Sequence, residues 1–143
     1  HHMTAPHPHG LGLELAIRKS LADAQINEQN LCFVNAHATA TLDNDRIEGT
    51  TLARIFGPKL PVTATKGYTG HALGGVGGLE AVFMAINLNE GWIPACAGLE
   101  EQDPDIPLAL PRQTMAVDGH FALSTSLAFG GNNAALVIGK QAS

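Results

Sequence analysis

The 143-residue chain is poor in cysteine, with only Cys32 and Cys96. Two thiols so far apart in sequence give no disulfide framework, so a reducing cytoplasm is the expected setting. Charge is sparse as well: charged residues make up 15 % and the net charge is −5. That balance argues against nucleic acid or an anionic membrane as the main partner. No apolar run reaches the roughly 18 to 20 residues of a membrane-crossing helix. Cofactor signatures are missing too. In KGYTGHALGGVGG (66–78) the lysine precedes the glycines, whereas a phosphate loop needs it after them. A dinucleotide pattern begun at Gly75 and Gly77 ends on Glu80 instead of glycine. No cofactor is therefore expected. No metal site is expected either, because His7 and His9 in the proline-rich start have no cysteine or carboxylate close by and should lie in a frayed terminus.

What remains is 45 % apolar, enough for the core of one domain. His1-His2-Met3 reads as the remnant of an expression tag, leaving 4–143 as that domain. Leu13, Ile17, Leu21 and Ala24 share one stripe, predicting an amphipathic helix over 11–24. LCFVNA (31–36) is apolar without alternation, as a buried strand should be. A second helix is expected over 43–56, capped by Asp43 and stopped by Gly57-Pro58. Strands are expected over 60–65, 121–128 and 134–138, the last two joined by a Phe-Gly-Gly-Asn-Asn turn. Between them 92–120 reads as mostly irregular. The order is that of an α/β fold, with parallel pairing early and an antiparallel pair late.

The 66–78 stretch holds six glycines in thirteen residues and leads into the apolar LEAVFMAINL. Gly70, Gly74 and Gly78 recur every four residues, and Gly77, Ala81 and Ala85 extend a small-residue face. This spacing predicts a helix over about 72–89, buried nearly all round, with Gly74, Gly77 and Gly78 in close backbone contact with another element. Lys66, Tyr68 and His71 stand at its entrance. Polar residues also follow the other predicted strands: Asn35 to Thr41 after the first, and Phe129 to Asn133 after the third. Sites in α/β sheets gather beyond the carboxyl ends of strands. Two histidines and a lysine in such places point to chemistry.

Asn-Ala-His-x-Thr-x-Thr (35–41), Lys-x-x-Thr-Gly-His (66–71) and Phe-Gly-Gly-x-Asn (129–133), in this order, resemble the C-terminal half of an elongating β-ketoacyl-acyl-carrier-protein synthase. The resemblance runs from about Thr4 to Lys140. It implies the C-terminal half of a thiolase-like layered α-β-α-β-α fold, with a mixed sheet and a buried glycine-rich helix. It also implies decarboxylative Claisen condensation of a malonyl thioester with an acyl chain, in fatty acid or polyketide synthesis. His37 and His71 would donate to the malonyl thioester carbonyl as an oxyanion hole. Lys66 would orient the site and pair with a glutamate on the following helix, matched here to Glu48. Thr39 and Thr41 would bind the phosphopantetheine arm. Phe129 would gate the acyl tunnel and give its N–H to a second oxyanion hole, flanked by Gly130 and Gly131. The implied partners are acyl carrier protein, the N-terminal half of the synthase, and a second subunit in a homodimer or heterodimer.

The nucleophilic cysteine of that family belongs to its N-terminal half, and neither cysteine here suits the role. Cys32 sits mid-strand and Cys96 lacks an electropositive niche. The chain alone is therefore expected to be inactive. Ala38 and Ala128 stand where the family has glycine, Gly67-Tyr68 where it has Ser-Met, and Asn132 where it has threonine. The departures around His37 and Phe129 motivate a second reading, a non-catalytic, chain-length-factor-like partner subunit; a third is a stand-alone binding module for acyl carrier protein or acyl-pantetheine. A metal held by His37, His71 and a carboxylate is the weakest alternative.

Overall fold

The computed structural model describes residues 3 and 5–141; His1, His2 and Thr4, on which the tag and the domain start were placed, lie outside them. In chain order the elements are α1 (Leu11–Asp23), β1 (Leu31–Asn35), α2 (Leu42–Phe56), β2 (Val62–Thr63), α3 (Lys66–Thr69) and α4 (Val76–Glu90). There follow β3 (Trp92–Ile93), β4 (Met115–Ala116), β5 (Phe121–Ala128) and β6 (Asn132–Gly139). Among the described residues, β2-β1-β5-β6 form one mixed sheet and β3-β4 a small antiparallel pair. β1 is parallel to both β2 and β5, while β5 and β6 are antiparallel. Early parallel and late antiparallel pairing thus appear as the sequence predicted.

Strand alternation sorts the apolar residues between two layers. Val34, Leu123 and Val137 face a core with Leu13, Ile17 and Leu21 of α1 and Leu52 of α2. Their neighbours Phe33, Ala122 and Ile138 face the opposite core with Met84 and Leu88 of α4. A strand with a helix on each side has no polar face to keep, which explains why LCFVNA shows no alternation.

Several boundaries differ from expectation. The predicted strand 60–65 shrinks to Val62–Thr63: Pro61 has no N–H to give the ladder, though its carbonyl accepts from Val34 N at 2.9 Å and it bridges to Ala109. The last strand is longer, 132–139. Thr41, not Asp43, occupies the N-cap position of α2, without a side-chain cap bond; Asp43 and Asp45 lie in its first turn, where the helix dipole favours them. The His7–Gly10 segment is not frayed: Gly10 N donates to His7 O at 2.8 Å, and Arg54 Nη2 holds His9 O at 3.1 Å.

The largest correction concerns the glycine-rich helix. α3 ends at Gly70, whose φ is +68°, a left-handed conformation that breaks any helix running through it. A single tight turn, Leu73–Gly75, intervenes before α4 begins at Val76. Gly70 and Gly74 therefore belong to no common helix face with Gly78. A Cβ built at Gly74 or Gly78 would meet nothing within 4 Å, and one at Gly77 only Ser126 Oγ at 3.8 Å. Within this chain α4 is buried on one side, by Val76, Glu80, Met84, Asn87 and Leu88. Val82 is 56 % and Ile86 49 % exposed on the other.

Candidate active site

Because β1, β2 and β5 run parallel, their carboxyl ends share one edge of the sheet. His37 stands just past β1, Lys66 just past β2, and Phe129 just past β5. His37 is buried, with 4 % of its surface exposed, and its ring meets that of exposed His71 edge-on, centroids 5.3 Å apart and planes at 87°. The two histidines thus converge as expected.

Burial, then the Lys66 ammonium, then His71, push the His37 pKa down from 6.5 to about 4, so the ring is neutral at pH 7. Its Nδ1 is buried with no hydrogen-bond partner among the described residues. His71 Nδ1 accepts a bond from Leu73 N at 3.1 Å, which leaves its ring proton on Nε2.

The placement of Glu48 corrects the predicted pairing with Lys66. Its carboxylate is held by backbone: His37 N donates to Oε1 and Ala38 N to Oε2, both at 2.8 Å. Thr125 Oγ1 adds a bond to Oε1 at 2.6 Å, and Asn44 Nδ2 lies 3.5 Å from Oε2. Burial raises the Glu48 pKa, against the pull of these donors. The carboxylate fixes the loop where Ala38 and Ala40 both take left-handed conformations, φ 39° and 60°. The partner of Lys66 is Glu80, on the helix that follows it, in a buried ion pair. Glu80 and Thr125 are the residues that sequence reasoning missed. Glu80 left one signal: it is the sole acid within the apolar run from Val76 to Leu88.

Thr39 and Thr41 lie at the rim, their hydroxyls 3.0 Å apart. Thr41 also borders a cleft of about 270 Å³ shared with Leu42, Arg46, Gln102 and Ile106, which neither His37 nor His71 lines. Phe129 is 73 % exposed and opens the Phe129–Gly131 turn. Gly130 and Gly131 take φ of 78° and 77°, and Asn132 and Asn133 side chains cap carbonyls of the same turn. Both cysteines are engaged elsewhere: Cys32 Sγ donates to Phe121 O at 3.2 Å, and Cys96 Sγ lies 3.7 Å from Val62 O. Burial pushes both thiol pKa values up, away from the thiolate a nucleophile requires. Among the described residues no group of three or more histidine, cysteine or carboxylate side chains gathers where a metal ion would fit. No helix of those residues is long and apolar enough to cross a membrane.

Residues 1–100 match the family described as beta-ketoacyl synthase, C-terminal domain. The chain is 39 % identical over 141 residues to the chloroplastic 3-oxoacyl-[acyl-carrier-protein] synthase II of Arabidopsis thaliana, spanning 96 % of this chain and 26 % of that protein. It superposes on a β-ketoacyl synthase from Burkholderia phymatum STM815 with a TM-score of 0.93 and 33 % identity, over 99 % of this chain and 35 % of that one. A ketosynthase in complex with its chain length factor, from Xenorhabdus doucetiae, gives 0.91 and 35 %, over 98 % and 36 %. The chain thus spans about a quarter to a third of the length of these relatives. The mixed sheet between two helical layers is that of thiolase-like ketosynthases, and the chain belongs to the β-ketoacyl synthase family, as its C-terminal domain.

Proposed function

We propose that this chain is the C-terminal part of an active β-ketoacyl-acyl-carrier-protein synthase, and that His37, His71 and Lys66 carry its decarboxylation step. The observation that supports this reading best is a neutral, buried His37 facing a His71 whose proton sits on Nε2. The neutral His37 ring, and His71 through its Nε2, can each donate one N–H to the thioester oxygen of a malonyl group. As carbon dioxide leaves, the electron pair of the breaking carbon–carbon bond moves into the thioester as an enolate, and both donors strengthen on the developing oxyanion. The α-carbon then attacks an acyl thioester held on a cysteine supplied by the rest of the parent protein, and that thiolate departs. Burial, with repulsion from Lys66 added to it, keeps His37 from protonating. Glu48 holds the His37 loop through its backbone.

In the same reading Thr39 and Thr41 receive the phosphopantetheine arm of acyl carrier protein. Phe129, Gly130 and Gly131 form the mobile acyl gate and its second oxyanion donor. The remainder of the synthase covers the apolar outer side of α4, the whole acts as a dimer, and the reaction belongs to cytoplasmic fatty acid or polyketide synthesis. A second reading, a chain-length-factor-like subunit, is favoured by Ala38, a strained alanine beside His37 where glycine would relax the loop.

The test joins the chain to its complementary part and supplies malonyl- and acyl-carrier protein. Carbon dioxide and β-ketoacyl product should form, and both should vanish with His37→Ala or His71→Ala. Full assembly without either product would favour the chain-length-factor reading.

A further inference from the structure

Gly67 and Tyr68 are adjacent, and both meet the same stretch of backbone. A Cβ added at Gly67 would lie 2.7 Å from the Ala97 carbonyl oxygen and 2.9 Å from the Ala97 Cβ, closer than non-bonded atoms approach. Tyr68 Oη donates to the Ala95 carbonyl at 3.0 Å. The 94–97 segment is fastened independently to the sheet and the loop before β4. Thr63 Oγ1 donates to Pro94 O at 3.0 Å, and Cys96 N to Pro111 O at 2.8 Å.

This matters because α3 cannot place itself. Four residues are far below the length at which a helix is stable alone. Thr65 makes no side-chain cap bond, and a Cβ at Gly70 would meet nothing within 4 Å. The position of the turn must come from contacts outside it. One is the Lys66–Glu80 ion pair at its start. The other is the contact of Gly67 and Tyr68 with 94–97. His71 follows directly after Gly70, so a tilt of α3 moves its ring.

We propose that Gly67 and Tyr68 are positioning residues that form one latch. The absent side chain of Gly67 lets the Ala97 backbone close in, closure brings Ala95 O within reach of the Tyr68 hydroxyl, and the closed latch sets the separation of His71 from His37. Its catalytic consequence rests on the function proposed above; its geometry does not. Tyr68 is 58 % exposed, so its ring is not there to fill a core, and the hydroxyl is the part the latch uses.

The experiment uses the intact parent protein with ¹⁵N-labelled histidine rings and two variants. Gly67→Ser places an atom against Ala97, and Tyr68→Phe removes only the hydroxyl. Gly67→Ser should abolish the ring-to-ring NOE between His37 and His71. It should also lower kcat by about 10- to 100-fold, as ångström-scale misplacement does, with KM nearly constant. Tyr68→Phe should produce a smaller change of the same kind. The double variant should be no worse than Gly67→Ser alone, since a latch already open has no second bond to lose. Independent, multiplying effects, or an intact NOE and kcat in both single variants, would overturn the latch. If Gly67→Ser does not fold, the NOE and kcat of Tyr68→Phe decide by the same criteria. A parent without condensing activity would defeat the proposed function, while the NOE would still decide the latch.

Discussion

His37 combines three circumstances that depress its pKa: burial, a lysine ammonium, and a second histidine. The sign for stability follows. In the unfolded chain the ring protonates near 6.5, and in the folded protein near 4. Its neutral form is therefore favoured by the fold, and its contribution is fully present above about 6.5. That contribution is lost as pH falls from there toward 4. Glu48 acts in the opposite sense, because its raised pKa makes acidification favour the folded state. Denaturant midpoints at pH 7 and pH 5 separate the two: His37→Gln should lose less stability on acidification than the unaltered chain. The neighbouring loop offers another measurable quantity. Ala40 is exposed and held at φ 60°, a conformation costing an alanine roughly 1 to 2 kcal/mol. Glycine removes that cost but loses about 0.5 to 1 kcal/mol of its own to chain flexibility. Ala40→Gly should therefore raise the unfolding free energy by about 0.5 to 1 kcal/mol in urea titration.

Between elements, the Lys66–Glu80 pair joins α3 to α4 with both side chains buried. Removing one partner leaves a charge without compensation, so Glu80→Ala should destabilise by about 3 to 5 kcal/mol. Lys66→Met combined with Glu80→Leu should restore most of that loss, because two apolar groups need no partner. Equal destabilisation by the single and double variants in calorimetry would refute this account. The same pair shows how far the sequence could be read. That His37, Lys66 and His71 gather was legible, since strand ends of a parallel sheet share an edge. Which glutamate meets Lys66 was not. Glu48 lies on the helix before the lysine and Glu80 on the one after it, and spacing does not tell that two backbone amides already occupy Glu48. The glycines misled for a related reason. A period of four suggests a helix stripe, whereas the positive φ of Gly70, which ends α3, leaves no trace in composition. β5 was read to the residue because alternating contacts on two helical layers and a glycine turn bound it on both sides.

For the molecule as a whole, α4 has one side on the sheet and the other open, with Val82 and Ile86 exposed and empty space above Gly78. An apolar face of this kind signals a missing partner. The chain alone should self-associate in sedimentation velocity and release no carbon dioxide from malonyl-carrier protein. Gly78→Leu should leave its own stability intact or improve it by up to about 1 kcal/mol, since leucine favours helix over glycine. The same substitution should weaken binding of the complementary part, measured by titration calorimetry. Undiminished binding would show that the partner covers another face. The pairing of β1 with β5 has a consequence in time. Leu31 is matched to Phe121, about 90 residues later, and the threonine that steadies Glu48 comes at position 125. Contacts so distant in sequence form late and slowly. On the ribosome β1 must therefore wait, apolar and half-paired, until β5 has emerged. His37 is thereby locked in place by a threonine made 88 residues after it.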